Sequence, residues 1–168
     1  MDVARSALER RILSALNGSP PRIPVLLGGC GSGRTTVLRA LQHRVGSGAC
    51  QYVDVERTAT TPERFLRAVL GASPFPGAES IEIPPTPRAA FEATIASLAS
   101  ARAASGDRVT LLLDEVLELR AFESFPGLRH AFHELLTSLA AAGNRFVLST
   151  RYASRAGVSL VAEGLDSP

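Results

Sequence analysis

The chain has 168 residues and a mass of 17.7 kDa, and its 45% of apolar residues and mean hydropathy of +0.13 are enough to bury the core of one domain. This composition excludes a disordered tail, a collagen-like repeat and, with two cysteines, a disulfide scaffold. All 18 basic residues are arginine, so chemistry that needs a lysine amine is absent or is done by arginine.

Neither the charge pattern nor the hydropathy of the chain indicates a nucleic acid or a membrane as a partner. The net charge is +2, the arginines are scattered without a run and the few aromatic residues are unclustered, so no clear nucleic-acid footprint is predicted. No apolar stretch approaches the roughly 18 residues that span a bilayer, and the start of the chain lacks the apolar run of a secretion signal. Because two cysteines fit a reducing compartment, we expect a soluble, cytoplasmic protein.

The first half of the chain alternates helical and extended patterns, which is typical of a parallel α/β sheet. The predicted elements are a helix over 3–16, a strand over 23–27, a helix over 34–45, a strand over 51–55 and a helix over 62–71. Thr61 is the expected N-cap of the last helix, with Pro62 at its first position. Residues 73–87 contain five prolines and are predicted to form a loop.

The second half continues the alternation. The predicted elements are a helix from Pro87 to Gly106, a strand over 109–113, a helix from near Pro126 to Gly143, and a strand over 145–150. The continuous apolar character of 109–113 indicates a central strand that is buried on both faces. We expect one domain over 1–155, beginning with an N-terminal helix within 1–18, followed by a short tail over 156–168.

A glycine-rich loop follows the first predicted strand. Residues 28–36 read Gly-Gly-Cys-Gly-Ser-Gly-Arg-Thr-Thr and fit the phosphate-binding pattern G-x-x-x-x-G-K-[ST] except at the lysine. Glycines let successive amides wrap a phosphate, and the positive end of the following helix adds attraction. The predicted nucleotide-binding residues in this loop are Gly28, Gly29, Cys30, Gly31, Ser32, Gly33, Arg34, Thr35 and Thr36.

Two residues of the loop carry particular expectations. Thr35 occupies the position whose hydroxyl would ligate Mg²⁺. Arg34 stands where lysine would contact the β- and γ-phosphates, and its longer, planar side chain is not equivalent there. There are two alternatives, a turn that binds no ligand and a dinucleotide-binding fingerprint. The dinucleotide fingerprint would need Gly or Ala at position 34, where this chain has arginine. The spacing therefore favours a mononucleotide site, with Cys30 as a small filler.

Two acidic residues follow the predicted central strand. Asp114 and Glu115 lie at its carboxyl end, on the edge of an open α/β sheet where ligands bind. Asp114 suits a ligand of Mg²⁺, and Glu115 suits a general base that orients and deprotonates an attacking water. A helix N-cap is the alternative for this pair. The position of Asp114 and Glu115 downstream of the glycine loop favours the catalytic interpretation.

The last strand ends in Ser-Thr-Arg at the same edge of the sheet. Thr150 and Arg151 would bring a hydroxyl and a guanidinium to the terminal phosphate, and a surface arginine is the alternative. His130 and His133 have the spacing of a metal pair on a helix, but no third ligand follows, so we expect a structural or exposed role.

Together these segments resemble the P-loop ATPases of the AAA+ and STAND groups, including archaeal-type ATPases. The loop 28–36 looks like their first nucleotide motif with arginine for lysine, and Leu-Leu-Leu-Asp-Glu over 111–115 is similar to their second. Val-Leu-Ser-Thr-Arg over 147–151 looks like their sensor strand.

The resemblance implies a three-layer αβα P-loop NTPase with a mainly parallel sheet and additional strands between the loop strand and the acidic strand. It implies ATP with Mg²⁺ as ligands, Thr35 and Asp114 as metal residues, Glu115 as base and Arg151 as γ-phosphate sensor. It also implies assembly into a homo-oligomer or larger complex. The helical lid that usually follows in this group is absent from the 168 residues.

The leading hypothesis is an ATP-binding module with weak or conditional hydrolysis to ADP and phosphate. A non-catalytic, degenerate or truncated nucleotide-binding or interaction module is the main alternative, because Arg34 replaces lysine and a lid is missing. A small P-loop kinase is a third hypothesis, for which the proline-rich loop over 73–87 offers few acceptor-binding groups.

Overall fold

Four parallel strands form one sheet, and helices cover both of its faces. The computed structural model describes residues 2–20 and 22–151, so the predicted tail over 156–168 and the end of the predicted domain lie outside the described residues. The helices and strands are α1 (Asp2–Leu16), β1 (Val25–Leu27), α2 (Arg34–Val45), β2 (Cys50–Asp54), α3 (Val55–Thr58), α4 (Pro62–Gly71), α5 (Pro87–Ser100), β3 (Thr110–Asp114), α6 (Ala131–Ala141) and β4 (Arg145–Thr150). Two 3-10 helices cover Ala78–Ser80 and Val116–Ser124.

The strand order is β1-β4-β3-β2, and every neighbouring pair is parallel. The last strand thus lies between the loop strand and the acidic strand, as the resemblance implies. Leu27 pairs with Thr150, and Asp54 pairs with Asp114, so the glycine loop and both acidic strand ends meet at one edge of the sheet. The predicted three-layer α/β fold with a parallel sheet is confirmed.

The central strand β3 separates two apolar cores. All five residues of β3 are buried, which confirms the predicted burial of its two faces. Because side chains alternate along a strand, Leu111 and Leu113 pack with α4, α5 and α6, whereas Leu112 packs with α1 and α2. The second core lies directly under the helix that begins at the glycine loop.

Helices α4 and α5 begin where the sequence predicts. The Thr61 hydroxyl accepts a hydrogen bond from the Arg64 amide at 3.2 Å, and the Thr86 hydroxyl accepts one from the Ala89 amide at 3.4 Å. A proline stands at the start of both helices. These caps satisfy donors that a helix leaves unpaired at its first turn.

Several predicted boundaries are shifted, and β1, for example, begins at Val25 rather than at residue 23. Strand β2 ends at Asp54, because that side chain caps the short helix α3 by accepting from the Arg57 amide at 3.1 Å. Helix α5 ends at Ser100, since the chain then turns into a bridge between Arg102 and Arg108.

A further error concerns the predicted helix from near Pro126. Helix α6 begins only at Ala131, after the 3-10 helix Val116–Ser124 that the sequence pattern did not reveal. The ring of Phe122 in this 3-10 helix is fully buried and makes edge contacts with the rings of Phe65 and Phe91. Tertiary packing therefore fixes this segment.

No helix in the part of the chain that the structure describes is both long enough and apolar enough to cross a membrane.

Candidate functional site

The glycine loop joins β1 to α2 and exposes backbone amides. Gly31 and Gly33 have φ angles of 75° and 82°, a left-handed conformation that favours glycine. The Ser32 amide donates to the Gly29 carbonyl at 3.2 Å, whereas the other four amides of segment 29–33 donate no hydrogen bond to any described residue. Gly33 is the N-cap of α2 and provides no side-chain cap. The loop and the helix start therefore present a set of N–H donors suited to an anion.

The space around the loop also fits a phosphate. Beyond its chain neighbours, a Cβ at Gly29, Gly31 or Gly33 would meet no atom of the described residues within 4 Å, whereas one at Gly28 would lie 2.6 Å from the Ser32 hydroxyl. A side chain at position 28 would therefore displace Ser32, whereas the space beside the other three glycines is open. An open cradle lined by amides is the arrangement that a phosphate group needs.

Thr35 and Asp114 come together from α2 and β3. The Thr35 hydroxyl lies 2.7 Å from Oδ2 of Asp114, whose side chain is buried. A hydroxyl beside a carboxylate is the oxygen donor set that Mg²⁺ uses when nucleotide and water supply its remaining ligands. The described residues contain no group of three or more His, Cys, Asp or Glu side chains that could hold a metal by itself. The residues present fit Mg²⁺ bound together with a nucleotide.

Two further hydroxyls hold the Asp114 carboxylate. The Tyr52 hydroxyl from β2 donates to Oδ2 at 2.6 Å, and the Ser149 hydroxyl from β4 donates to Oδ1. Burial, and then the hydrogen bond to Asp114, raise the pKa of Tyr52 well above its usual value, so the phenol keeps its proton at neutral pH. Neither residue is predicted from the sequence. Their positions on strands that adjoin β3 in a parallel sheet are the signal that could have found them.

The Arg34 side chain is tied within the site. Its Nη1 donates to the Gly29 carbonyl at 2.7 Å and to the Ser32 hydroxyl at 3.0 Å, and its Nη2 forms an ion pair with Glu115. The side chains of Arg34 and Glu115 are each 11% exposed, so water screens the pair only in part. The arginine therefore links the phosphate loop directly to the predicted catalytic base.

Glu115 occupies an unusual backbone conformation. Its φ of 57° is the only positive φ of a non-glycine residue among those that the structure describes. The Glu115 amide donates to the Ser149 hydroxyl at 3.1 Å, and Oε2 of Glu115 accepts from the Arg151 amide at 3.0 Å. Such left-handed residues cost energy and persist where surrounding contacts hold them. Here the contacts direct the carboxylate toward the glycine loop.

The guanidinium of Arg151 lies among three carboxylates. Its Nη2 pairs with Glu56 and lies 3.6 Å from Glu118, and its Nε lies 3.5 Å from Glu115. Thr150 is buried at the end of β4, where it pairs with Leu27. The structure thus places Arg151 beside the predicted base. Glu56 and Glu118 were not predicted, because they reach Arg151 from α3 and from a 3-10 helix that the sequence pattern did not indicate.

The remaining loop residues are open to solvent. Cys30, Ser32 and Thr36 are all exposed, and Thr36 lies in the first turn of α2. The nine predicted loop residues form one continuous segment next to Asp114 and Glu115. The predicted site residues therefore share one edge of the sheet.

No protein-family model and no curated protein matches this chain. Among solved structures, it is similar to the Orc1 protein of Aeropyrum pernix in complex with DNA, with 21% identity, a TM-score of 0.59, and coverage of 92% of this chain and 40% of that one. It is also similar to the Walker-type ATPase paby2304 of Pyrococcus abyssi, with 19% identity, a TM-score of 0.55, and coverage of 94% and 47%. Drosophila ORC bound to AT-rich DNA and Cdc6 matches with 15% identity, a TM-score of 0.51, and coverage of 99% and 56%.

These similarities show that the chain has the P-loop fold of AAA+ ATPases. The chain spans about two-fifths to three-fifths of the length of the three solved chains described above.

Proposed function

We propose that this chain is the ATP-binding module of an AAA+ or STAND-like ATPase, and that it binds Mg-ATP through the glycine loop. The observation that carries the proposal is the 2.7 Å contact between Thr35 and Asp114, beside a loop in which four of the five amides of segment 29–33 donate no hydrogen bond to a described residue. A phosphate cradle next to a hydroxyl and a carboxylate is the combination that a Mg-nucleotide requires.

The phosphates, the metal ion and the attacking water each have a counterpart in the chain. The amides of segment 29–33 and the start of α2 would bind the phosphates, with Arg34 adding a cation. Thr35 and Asp114 would hold Mg²⁺, which neutralises charge on the phosphates when bound. Glu115 would accept a proton from the attacking water, and Arg151 would contact the γ-phosphate.

Hydrolysis is expected to be weak or conditional. Glu115 cannot serve fully as a base while its carboxylate is paired with Arg34, because the guanidinium occupies Oε1. Arg34 must exchange this partner for a phosphate oxygen before Glu115 is free. Turnover to ADP and phosphate then depends on how completely the nucleotide draws Arg34 away.

Binding of a fluorescent, non-hydrolysable ATP analogue with Mg²⁺ tests the proposal. The wild-type chain is expected to bind at micromolar to submillimolar analogue, and Asp114→Asn is expected to lose the gain in affinity that Mg²⁺ provides, because the amide carries no charge. Thr110→Val removes a buried hydroxyl of the same strand that has no hydrogen-bond partner among the described residues, and this variant should bind as the wild type does. Absence of binding at millimolar analogue contradicts the proposal.

The Arg34–Glu115 pair also supports the alternative, a nucleotide-binding or interaction module without catalysis. Arg34→Lys separates the two hypotheses, because an ammonium cannot make the contacts with Gly29, Ser32 and Glu115 in the same geometry. We expect the variant to hydrolyse ATP about tenfold faster than wild type in a phosphate-release assay. Unchanged inactivity of a variant that still binds ATP favours the non-catalytic module.

Three properties of the whole protein belong to the same proposal. We expect the module to act in the cytoplasm and to assemble with further copies of itself or into a larger complex. Nucleic acid is not among its expected ligands, because the arginines are scattered along the sequence. The DNA in the Orc1 and ORC structures is a ligand of those proteins.

A further inference from the structure

The Tyr52 hydroxyl contacts the carboxylate that is expected to hold the metal. We propose that Tyr52 is a positioning residue for the Mg²⁺ site, which holds the Asp114 carboxylate in the orientation that Mg²⁺ requires. The inference rests on the proposed function, since it concerns how tightly the metal binds together with the nucleotide.

Hydrogen bonds restrain both oxygens of Asp114. Oδ2 accepts from Tyr52 at 2.6 Å and from Thr35 at 2.7 Å, and Oδ1 accepts from Ser149. Asp114 is 3% exposed and Tyr52 is 8% exposed, so water does not replace these partners readily. Three hydroxyl donors on one carboxylate fix its rotation about the Cβ–Cγ bond.

The Tyr52 ring is held in turn by its neighbours. Tyr52 pairs with Leu112 in the β2–β3 ladder, two residues before Asp114, and its side chain lies on the face covered by α2. The Arg39 guanidinium from α2 lies 3.6 Å from the centre of the Tyr52 ring. This cation–π contact and the strand register fix the distance from the ring to Asp114.

The expected role follows from how metal ligands behave. Partners of a ligating carboxylate orient it, and their removal costs about 10- to 100-fold in metal affinity. Thr35 is itself a candidate metal ligand, and Ser149 also binds the Glu115 amide. Among the three partners of Asp114, Tyr52 is therefore the one whose hydroxyl, within the described residues, contacts this carboxylate and has no second role in the site.

Tyr52→Phe isolates the hydroxyl, because phenylalanine keeps the ring, its packing and the contact with Arg39. The measurement is the affinity for a fluorescent, non-hydrolysable ATP analogue, first in EDTA and then over a Mg²⁺ titration. We expect wild-type affinity in EDTA, and a Mg²⁺ midpoint about tenfold higher than in the wild type. Thr110→Val is the matched control, because the Thr110 hydroxyl of β3 has no hydrogen-bond partner in the described part of the chain, and the variant should keep the wild-type midpoint.

A double-mutant comparison tests whether the effect passes through Asp114. Asp114→Asn should abolish the Mg²⁺-dependent gain, and adding Tyr52→Phe should then change nothing further. A merely structural role would lower the unfolding temperature of Tyr52→Phe in EDTA and leave its Mg²⁺ midpoint unchanged.

The outcomes separate this inference from the proposed function. If the wild type does not bind the analogue, the proposed function fails. If the wild type gains affinity from Mg²⁺ but Tyr52→Phe has the same midpoint, the positioning role is overturned. A lower midpoint in Tyr52→Phe overturns it as well, because the hydroxyl would then compete with the metal for Oδ2.

Discussion

At the scale of single residues, Arg34 differs from a lysine in both shape and reach. Its fork contacts the Gly29 carbonyl, the Ser32 hydroxyl and the Glu115 carboxylate at the same time. A lysine has a single nitrogen and cannot bridge three such partners in this geometry. With arginine at position 34, the Glu115 carboxylate therefore competes with the phosphates of a nucleotide for the guanidinium.

Glu115→Gln tests this competition. The amide no longer forms an ion pair with Arg34, so ADP and a non-hydrolysable ATP analogue should both bind about fivefold tighter, or about 1 kcal/mol. Hydrolysis should be lost, because the amide cannot accept a proton. Calorimetric titration with each nucleotide measures the affinities.

Glu118→Gln provides the matched control, because Glu118 lies 3.6 Å from Arg151 and has no contact with Arg34 among the described ion pairs. Its nucleotide affinity should equal that of the wild type. An affinity of Glu115→Gln for ADP that stays unchanged would show that Arg34 is available to phosphates without exchanging partners.

At the scale of elements, Asn144 joins the end of α5 to the starts of β3 and β4. Its Nδ2 donates to the carbonyls of Leu98 and Ala101, both at 3.0 Å, and its Oδ1 accepts from the Val109 amide at 3.1 Å. One buried side chain thus satisfies polar backbone groups from two segments. This contact explains why α5 ends before Gly106.

Asn144→Ala should lower the free energy of unfolding by about 2–4 kcal/mol, because several buried backbone groups lose their partner. Urea unfolding followed by circular dichroism measures this change. Asn17→Ala is the control, since Asn17 is exposed and its side chain makes no hydrogen bond to the described residues. Equal stability of the two variants would contradict the role of Asn144. The folded variant should keep its ATP affinity, because Asn144 lies at the opposite edge of the sheet.

The errors at the end of α5 and before α6 share a physical origin, which is contact between segments that are distant in sequence. Caps such as Thr61 and Thr86 act over three residues, so the sequence pattern predicts these helix starts correctly. The 3-10 helix Val116–Ser124 depends on Phe122 packing against Phe65 and Phe91, which are distant in sequence. Local periodicity does not contain that information.

At the scale of the whole molecule, the fold follows from the pattern of alternating elements and two motifs. The loop over 28–36 and the Asp114-Glu115 pair have local signatures, and the rule that parallel strands end at one edge brings them together. The partners of these residues had no such signature. Tyr52, Ser149 and Glu56 enter the site through the strand order and helix packing, which bring distant segments into contact.

The Ser149 hydroxyl joins two hydrogen bonds at the acidic edge of the sheet, and both point in the same direction. Its hydroxyl accepts from the Glu115 amide and donates to Asp114, so the chain of hydrogen bonds runs one way, from amide to hydroxyl to carboxylate. An ionised carboxylate has no proton to return, and the order cannot reverse while Asp114 is charged. The bond dipoles therefore add, with their positive ends toward Oδ1 of Asp114, and they strengthen the hydrogen bond that holds this carboxylate beside Thr35.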